Sequence, residues 1–447
     1  MLHFGTDGVR AQAFTELTPQ YVAALGFAAG TVIGGDRWVI GRDTRVSGEV
    51  FERALAAGLT AAGAQVVSMG VAPTPAIAHV GATSLVPTAV ITASHNPFSD
   101  NGVKLFAPGG RKLTDHVEAQ IEAAIAESSI PDRLANFGGE WSLSDPSSPK
   151  FEVSRVGAYE SHVVGLFPAA ALRGLKVVLD CANGAMSAVA PHVARALDAQ
   201  VEVINAEPDG RNINHHCGAT HPHDLSAAVV AAGAHLGLAF DGDGDRVIAV
   251  DELGNVVDGD RLIALAALHL RELGELTHHA VVVTVMSNLG FHRAMHAAGI
   301  DVVTTAVGDR YVLEALEAGD YAIGGEQSGH IIYRHLATTG DGLLAGLRLA
   351  HYAHDHHRPL SMLAADVMTG YPQVLVNVRV VDQHPDVADE MAAEIADGER
   401  VLAGEGRVLV RASGTEPLIR VMVEAATAEQ AQSVADELAA AAQRRFG

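Results

Sequence analysis

Three aspartates alternate with glycines in the heptapeptide F-D-G-D-G-D-R, which runs from Phe240 to Arg246. Carboxylates at alternate positions of a turn can converge on one cation, and a ligand set made only of oxygen atoms favours Mg²⁺ over zinc or copper. The apolar segments on both sides read as buried strands, so the carboxylates would lie at the carboxyl end of a strand, where open α/β sheets bind ligands. The pattern therefore predicts that Asp241, Asp243 and Asp245 bind one Mg²⁺ ion.

The same heptapeptide allows two other interpretations. Counted from Asp241, an EF-hand calcium loop would have acids at positions 1, 3 and 5 and Glu252 at position 12. An EF-hand also needs glycine at position 6 and a helix on each side, whereas this chain has Arg246 there and two apparent strands. A solvated acidic loop that binds no metal is the second alternative, and the loop alone does not exclude it.

A serine that could act as a nucleophile follows another candidate strand. The segment T-A-S-H-N-P at 92–97 comes directly after the apolar run 88–91, which places Ser94 in a loop at a strand end. We expect the Asn-Pro turn to aim an exposed hydroxyl outward. A single loop serine usually has no chemical role, so the motif needs support from elsewhere in the chain.

Lys104 is a second candidate for chemistry in the same part of the chain. It follows the dipeptide Asn101-Gly102, which reads as a turn. Its ammonium group could polarise a transferred phosphoryl group or move a proton. Taken alone, it reads as a solvated lysine.

A polar loop bracketed by glycines, G-G-E-Q-S-G-H at 324–330, follows the short apolar run 321–323, which reads as a strand. Glu326, Ser328 and His330 offer an acceptor, a hydroxyl and an imidazole, and the glycines allow a ligand to approach the backbone. Such a set suits a ligand with many hydroxyl groups, such as a sugar.

The segment R-A-S-G-T-E-P at 411–417 joins two strands near the end of the chain. Arg411, Ser413 and Thr415 supply a guanidinium and two hydroxyls around a flexible glycine, a combination that can enclose a phosphate dianion. The same segment could equally be a structural turn, and the residues alone leave both interpretations open.

Histidines are grouped in two places. Those between 354 and 357 read as solvated positions of a linker. The other group might bind a transition metal, but its spacing matches no common zinc pattern, so a polar loop is the favoured interpretation. Its members are His215, His216, Cys217, His221 and His223.

The elements that would position these motifs alternate between strands and helices. The helix 47–62, with Ser47 as its N-cap, and the strands 175–180 and 201–204 are typical of this β/α pattern. The tail has strands near 374–380, 407–411 and 418–424, then a helix from Thr427 with capping-box spacing to Gln430. A Ser/Pro-rich stretch at 142–149 and the histidine linker near 354–359 suggest boundaries. The predicted domains are 1–150, 151–253, 254–367 and 368–447.

Composition limits the class of protein. The chain has 447 residues, 48% of them hydrophobic, which is enough for three or four globular domains. A formal net charge of −23 argues against nucleic-acid or anionic-membrane partners. Two cysteines, Cys181 and Cys217, cannot form a disulfide scaffold, and we see neither a secretory leader nor a membrane-spanning run. We expect a cytoplasmic protein.

The motifs T-A-S-H-N-P, D-G-D-G-D-R, G-E-Q-S-G-H and R-A-S-G-T-E-P occur in an order and at separations that resemble the α-D-phosphohexomutase family along essentially the whole chain. The segments 4–10, 41–48 and 307–312 look most like the bacterial phosphoglucosamine mutase branch. Small departures from the family pattern remove no chemical group. They are Ala11, Thr92 and Ala412.

The resemblance implies an α/β fold, with three similar mixed α/β domains and a smaller C-terminal α+β domain around a central cleft. It implies that Ser94 is a phosphoserine, whose phosphoryl oxygen completes the Mg²⁺ shell formed by the three aspartates. The phosphoryl group would pass to a hexosamine monophosphate, giving glucosamine 1,6-bisphosphate as intermediate and activator. The net reaction would interconvert glucosamine 6-phosphate and glucosamine 1-phosphate. Each domain would contribute one loop to the active site, in chain order the phosphoserine loop, the metal loop, the sugar loop and the phosphate loop.

The resemblance also implies roles for charged side chains. Arg10, Lys104 and Arg246 would neutralise charge during phosphoryl transfer. His330 and Lys104 are the candidates for general acid and base, and the sequence does not rank them.

The remaining site residues would bind the substrate, a small sugar phosphate. Glu326 and Ser328 would bind the sugar hydroxyls. The non-reacting phosphate would be bound in the tail, by Arg411, Ser413, Thr415 and Arg420.

Rival functions stay open at this stage. A phosphomannomutase/phosphoglucomutase of the same fold is the nearest alternative, since no residue reveals what selects the amine. A metal-dependent phosphatase with a phosphoserine, or a non-catalytic calcium- or sugar-binding protein, is a more distant one. The chain could form a homodimer, which the sequence does not decide.

Overall fold

The computed structural model describes residues 2–5, 7–126, 150–151, 154–413 and 417–447 of the chain. These residues form two compact units. One comprises Met1–Met286 with Asp301–Ala365, and the other comprises Ser287–Ile300 with Asp366–Gly447. The stretch 142–149, where the first boundary was predicted, lies outside the described residues.

The first 126 residues build most of a mixed sheet in the first unit. Within the described residues this sheet has seven strands, parallel at its centre and antiparallel toward one edge. In spatial order the strands are Val9–Gln12, Asp100–Ala107, Thr88–Ile91, Arg37–Arg42, Gln65–Val71 and Lys150–Phe151, and Arg111–Lys112 pairs with Asp100–Ala107. The helices are Pro19–Val32, Gly48–Ala61, Thr74–Ser84 and Asp115–Ala126.

The first two helices pack unusually closely because each offers a glycine at their contact. A Cβ atom at Gly58 would lie 2.0 Å from the carbonyl oxygen of Ala23, and one at Gly26 would lie 2.4 Å from that of Leu55. Only glycine allows two backbones to approach to this distance. The close contact buries both helices against the sheet that carries the serine loop.

The predicted helix at 47–62 is confirmed as Gly48–Ala61 with Ser47 at its N-cap position, but the Ser47 side chain does not cap the helix. The backbone of Ser47 is already helical, with φ −74° and ψ −16°, and its side chain caps no helical amide. Its hydroxyl instead accepts a hydrogen bond from Asn101 Nδ2 at 2.8 Å. A tertiary contact with the neighbouring strand has replaced the local cap.

The second sheet positions the aspartate-rich loop. It has five strands within the described part of the chain, and the buried strands predicted on both sides of the loop are confirmed as Leu236–Phe240 and Val247–Asp251. In spatial order the strands are Val256–Val257, Val247–Asp251, Leu236–Phe240, Lys176–Asp180 and Gln200–Ile204. The associated helices are Ser154–Gly165, Met186–Ala196 and His223–Ala232.

The third sheet has four strands among the described residues. In spatial order they are Asp301–Thr305, Ala280–Thr284, Ile323–Gly325 and Ile331–Tyr333. Its helices are Gly259–Glu272, Asp309–Ala318 and Gly342–Asp355, with a 3₁₀ turn at Thr277–His279, and Leu360–Val367 follows in the chain.

Two sequence predictions about this region need correction. The strand expected at 321–323 is Ile323–Gly325, so two of the loop glycines are strand residues. The expected linker at 354–359 is shorter, because the helix continues to Asp355 and the next one begins at Leu360.

The second compact unit, as far as it is described, is a three-stranded antiparallel sheet covered by helices. Its strands, in spatial order, are Gln373–Arg379, Leu418–Glu424 and Arg407–Ala412, as predicted. Its helices are Leu289–Ala297, Val387–Glu390, Ala392–Leu402 and Ala428–Phe446.

The helix at the end of this unit has half of the predicted capping box. Thr427 accepts a hydrogen bond from the Gln430 amide at 3.2 Å, as a capping residue should. The Gln430 side chain does not return the bond, because its Nε2 donates to Val401 O at 3.3 Å.

The predicted fold class is confirmed: three mixed α/β sheets are followed by a smaller α+β unit. In the part of the chain that is described, we find no helix with the length and apolar character needed to cross a membrane. The domain boundaries given above stay a prediction.

Candidate active site

The three aspartates lie together at the carboxyl end of the strand Leu236–Phe240. All are buried, and they can place one oxygen each within 4.8 Å of the others. Gly244 has φ +74°, a conformation that side chains disfavour, and a Cβ at Gly242 would lie 2.6 Å from Ser94 O. The glycines are thus needed both for the turn and for the approach of the serine loop.

The aspartate cluster fits a hard divalent cation. Asp243 Oδ1 and Asp245 Oδ1 are buried and have no hydrogen-bond partner. Burial, together with the neighbouring Asp245 and Asp243 charges, raises the pKa of Asp241 well above its usual range. A cation bound by these oxygens would give the unpaired atoms a partner and would offset the repulsion between the carboxylates. An all-oxygen site suits Mg²⁺ or Ca²⁺ better than zinc.

Both alternative interpretations of this loop are wrong. The flanking segments are antiparallel strands and not helices, as an EF-hand would require. Glu252 is also committed elsewhere, since its carboxylate accepts from the Ser361 amide at 3.2 Å. The burial of the three aspartates contradicts a solvated acidic loop.

Lys104 is buried among carboxylates. Its Nζ lies 2.8 Å from Asp7 Oδ2, 2.8 Å from Asp243 Oδ2 and 2.7 Å from Asp245 Oδ2. Burial alone would lower its pKa, but Asp243, Asp245 and Asp7 raise it well above the usual value, so Lys104 is cationic. The solvated position and the preceding turn were therefore wrong expectations, because residues 100–107 form a strand that faces the metal loop.

Ser94 is buried, which corrects the expectation of an exposed hydroxyl. Its Oγ donates a hydrogen bond to Asp241 Oδ2 at 2.5 Å, and its backbone has φ +51°. The metal loop comes from a different part of the chain and covers the serine. The structure thus brings the candidate nucleophile and the candidate metal ligands into direct contact.

His95 is a site residue that we did not single out from the sequence. Its Nδ1 lies 3.3 Å from Ser94 Oγ and 3.2 Å from Arg246 Nη1. Burial, with the nearby Arg246 and Arg10 charges, lowers the pKa of His95 to about 4, so the ring is neutral and Nδ1 can accept from Arg246. The signal was present, because His95 stands beside the serine in T-A-S-H-N-P.

Arg246 and Arg10 supply positive charge around the same loops. Arg246 Nε lies 3.8 Å from Asp245 Oδ1, and Arg10 Nη2 donates to Asp7. The Nε atoms of both arginines are buried without a partner. Each guanidinium therefore keeps a donor available for an anionic ligand.

His330 is buried beside the metal loop. Its Nδ1 lies 3.7 Å from Asp245 Oδ1, while its Nε2 accepts from the Gly340 amide at 3.1 Å and lies 3.5 Å from Asp309 Oδ2. Burial alone would lower the pKa of His330, but Asp245 and Asp309 raise it. His330 also pairs with Arg246 in an isolated β-bridge, which fixes its backbone.

A closed ring of acidic and basic side chains connects the three sheets of the first unit. Lys112 Nζ lies 2.8 Å from Asp7 Oδ1 and also contacts Asp309 Oδ2. Burial alone would raise the pKa of Asp7, but Lys104, Lys112 and Arg10 hold it well below its usual range. No local sequence pattern indicated this arrangement. In order around the ring the residues are Asp7, Lys104, Asp245, His330, Asp309 and Lys112.

The predicted sugar loop lies next to this ring. Glu326 Oε1 accepts from the Gly308 amide at 3.1 Å, and its Oε2 accepts from Ser328 Oγ at 3.3 Å. Ser328 is exposed. Gly329 O accepts from the Val247 amide at 3.1 Å, which attaches the loop to the strand that follows the metal loop.

The predicted phosphate loop belongs to the second unit. Arg411 and Arg420 are opposite each other on neighbouring strands, and burial together with the Arg420 charge lowers the pKa of Arg411. Arg420 Nε and Ser413 Oγ are buried without a partner. These donors and charges would be satisfied by an anion. Thr415 lies outside the described residues.

The structure therefore groups most, but not all, of the predicted site. Nine of the residues converge within the first unit around the metal loop, and Ser328 lies on the adjoining sugar loop, whereas Arg411, Ser413 and Arg420 form a group of their own. The nine are Arg10, Ser94, Lys104, Asp241, Asp243, Asp245, Arg246, Glu326 and His330.

The histidine group at 215–223 forms no metal site. Four of its members are exposed and Cys217 is buried. Among the residues the structure describes, the three aspartates are the one cluster that could hold a metal ion. Residues 215–222 lie between the strand Gln200–Ile204 and the helix that begins at His223, so most of the group belongs to a loop.

Comparison with known families identifies four domains along the chain. Four models of phosphoglucomutase/phosphomannomutase domains match the chain in order: α/β/α domain I at residues 1–131, domain II at 158–254, domain III at 258–371 and the C-terminal domain at 375–441.

Curated relatives match nearly the whole chain. It is 50% identical to the phosphoglucosamine mutase of Frankia casuarinae, over 98% of this chain and 97% of the relative. It is 49% identical to that of Rhodococcus jostii, over 98% of both chains.

Solved structures show the same fold at low identity. A phosphoglucomutase/phosphomannomutase family protein of Burkholderia thailandensis has a TM-score of 0.80 and 24% identity, over 98% of this chain and 97% of that one. An Aspergillus fumigatus N-acetylphosphoglucosamine mutase, solved with GlcNAc-6P and magnesium, has a TM-score of 0.71 and 19% identity, over 100% and 96%. With four family domains in order and relatives at half identity over full length, the chain belongs to the phosphoglucomutase/phosphomannomutase family, the α-D-phosphohexomutases.

Proposed function

We propose that this protein interconverts glucosamine 6-phosphate and glucosamine 1-phosphate through a phosphoserine at Ser94 and a glucosamine 1,6-bisphosphate intermediate. The observation that carries the proposal is the 2.5 Å contact between Ser94 Oγ and Asp241 Oδ2 inside the buried aspartate cluster. The choice of an amino sugar is supported by the relatives, which are phosphoglucosamine mutases.

Asp241, Asp243 and Asp245 would hold one Mg²⁺ ion per chain. When bound, the ion would neutralise charge on the transferred phosphoryl oxygens. The two carboxylate oxygens without partners support this assignment. Lys104 partly neutralises the same cluster and keeps the site from carrying the full charge of three aspartates.

In the first transfer, the bond between phosphorus and Ser94 Oγ breaks and a bond to a sugar hydroxyl oxygen forms. The hydroxyl loses its proton and Ser94 Oγ gains one. Arg10, Lys104 and Arg246 would stabilise the phosphoryl charge while it moves. The second transfer is the reverse, from the other phosphate of the bisphosphate to Ser94.

The proton must pass through groups near the reacting oxygen. Lys104 is cationic among three carboxylates that raise its pKa, so it is suited to donate a hydrogen bond and to keep its positive charge rather than to act as a base. His330 lies in the same ring of acidic and basic side chains, with both imidazole nitrogens near carboxylates. His95 is neutral and lies 3.3 Å from Ser94 Oγ, which makes it a third candidate.

Substrate binding is assigned to the remaining loops. Glu326 and Ser328 would bind the sugar hydroxyls, and their mutual hydrogen bond supports a shared role. The non-reacting phosphate would be bound in the second unit by Arg411, Ser413 and Arg420. Ser413 Oγ and Arg420 Nε are buried without a hydrogen-bond partner, and Arg411 lies opposite Arg420 on the neighbouring strand. Thr415 is assigned from the motif.

A substrate panel tests the proposed reaction. The purified protein would be given Mg²⁺, a trace of bisphosphate, and the 6-phosphates of glucosamine, glucose and mannose in separate reactions. We expect glucosamine phosphate to be turned over with the highest kcat/KM. A preference for glucose or mannose phosphate would indicate the phosphoglucomutase/phosphomannomutase alternative, release of inorganic phosphate would indicate a phosphatase, and no turnover would indicate a binding protein. Dimer formation stays a prediction for a sedimentation measurement.

A further inference from the structure

We infer that Arg45 is a positioning residue that sets the conformation of the Ser94 loop, and that it controls the rate of phosphoryl transfer without touching the substrate. The inference rests on the proposed function, because it assumes that Ser94 carries the phosphoryl group.

Arg45 holds the serine loop by its backbone carbonyls. The side chain is fully buried. Its Nη2 donates to Ser94 O at 3.0 Å and to Asn96 O at 2.8 Å. Its Nη1 donates to Asp100 O at 3.0 Å and also to Pro97 O. One guanidinium therefore contacts four carbonyls within seven consecutive residues.

The remaining donor of Arg45, its Nε, is connected to the Ser94 amide through Asp43 and Thr92. Arg45 Nε donates to Asp43 Oδ2 at 2.9 Å, and Thr92 Oγ1 donates to the same oxygen at 2.7 Å. Thr92 Oγ1 in turn accepts from the Ser94 amide at 2.8 Å. Ser94 is thus held at both its N–H and its C=O by one connected set of buried groups.

Ser94 needs such support because of its backbone conformation. Its φ of +51° is in the left-handed region, which is disfavoured for a residue with a side chain. Asn214 Nδ2 adds a second donor to Ser94 O at 2.8 Å. These contacts keep the backbone in a conformation from which the hydroxyl reaches Asp241.

The geometry explains why arginine is required and why it is not a substrate ligand. Arginine has five N–H donors in a planar fork, and all five are used on the loop carbonyls and Asp43. A lysine has three donors on one atom and cannot reach four carbonyls and a carboxylate together. No donor of Arg45 is left for a phosphate, so its effect on catalysis must act through Ser94.

The test compares Arg45→Lys with Arg42→Lys. Arg42 is the last residue of the strand that precedes Arg45, but its Nε donates to Glu52 at 2.9 Å and not to the serine loop. Each protein would first be phosphorylated with glucosamine 1,6-bisphosphate and checked by intact mass. The single-turnover rate of transfer to glucosamine 6-phosphate would then be measured, together with KM and the Mg²⁺-induced shift in Tm.

We expect Arg45→Lys to lower the transfer rate about 100-fold, the scale of a misplaced reacting group, with KM changed less than about threefold. Its Mg²⁺ response should persist, and Arg42→Lys should transfer at the wild-type rate. Arg45→Lys with a wild-type transfer rate would overturn the inference. A wild-type protein without any Ser94 adduct or turnover would instead overturn the proposed function, and this inference with it.

A second pair of variants decides the question if Arg45→Lys does not fold. Thr92→Val removes the hydroxyl that connects Asp43 to the Ser94 amide, and Thr92→Ser keeps it. We expect Thr92→Val to lose transfer rate at nearly constant KM and Thr92→Ser to retain it. Equal transfer rates in the two variants would contradict a positioning role for this network.

Discussion

The hydroxyl of Ser94 donates a 2.5 Å hydrogen bond to Asp241 Oδ2, although the two residues are 147 positions apart in the chain. This contact joins the candidate nucleophile of one sheet to the candidate metal loop of another. A phosphoryl group on this oxygen would lie among three carboxylates, so the site needs positive charge around it to offset the repulsion between anions.

We expect Asp243→Asn to weaken Mg²⁺ binding about 10-fold or more and to lower kcat in parallel, since it replaces a charged ligand by a neutral one. The measurements are the Mg²⁺ dependence of Tm and of turnover. Asp224→Asn, at an exposed position, is the control. Full activity of the wild type in excess chelator would count against the metal site.

Lys104→Gln should abolish turnover and yet leave Mg²⁺ binding intact or tighter. The lysine is the buried counterion of Asp7, Asp243 and Asp245, so its loss leaves their charges unopposed. We therefore expect a lower Tm without metal and a larger Mg²⁺-induced rise than in the wild type. Weaker Mg²⁺ binding would show that Lys104 organises the site rather than competing for it.

His330→Ala should lower kcat more than it raises KM if His330 moves a proton. His330→Gln is the matched variant, because it keeps a polar group between Asp245 and Asp309. The same kinetics on His95→Ala would compare the two imidazoles. Unchanged turnover in His330→Ala would assign the proton transfer to His95 or Lys104.

The sequence predicted the strands that carry this site better than the burial and the long-range contacts of its side chains. Residues 236–240 and 247–251 are strands and the aspartates follow them, as the apolar runs indicated. The burial of Ser94 could not be predicted, because the loop that covers it is distant in the chain. The ring of acidic and basic side chains that includes Asp7 and His330 could not be predicted for the same reason, because its members come from segments around all three sheets.

Glycine was the residue most easily misread. Asn101-Gly102 looked like a turn but lies within a strand, where a Cβ at Gly102 would meet Val9 O at 2.5 Å. Gly324 is likewise a strand residue, and a Cβ there would lie 2.6 Å from Val282 O. In both cases glycine serves a close approach between strands, which leaves no mark in the local sequence.

Arg411→Ala should raise KM for glucosamine 6-phosphate about 10-fold, as expected for the loss of a charge-assisted hydrogen bond to phosphate. Arg411→Lys should recover only part of the loss, because a lysine cannot offer a planar fork. The alanine variant should also release more bisphosphate into solution. Arg400→Ala, exposed and paired with Asp397, is the control. Normal KM and no released bisphosphate would make the 411–417 segment a structural turn.

The central claim is that Ser94 carries the phosphoryl group that the sugar receives. The most direct measurement is a single turnover: protein labelled with ³²P by glucosamine 1,6-bisphosphate is mapped to its peptide and then mixed with unlabelled glucosamine 6-phosphate. We expect the label on the Ser94 peptide, its transfer to the sugar at a rate no slower than kcat, and neither label nor turnover in Ser94→Ala. A Ser94→Ala variant that turns over at a near-normal rate, or a label that leaves the protein more slowly than kcat, would contradict the account.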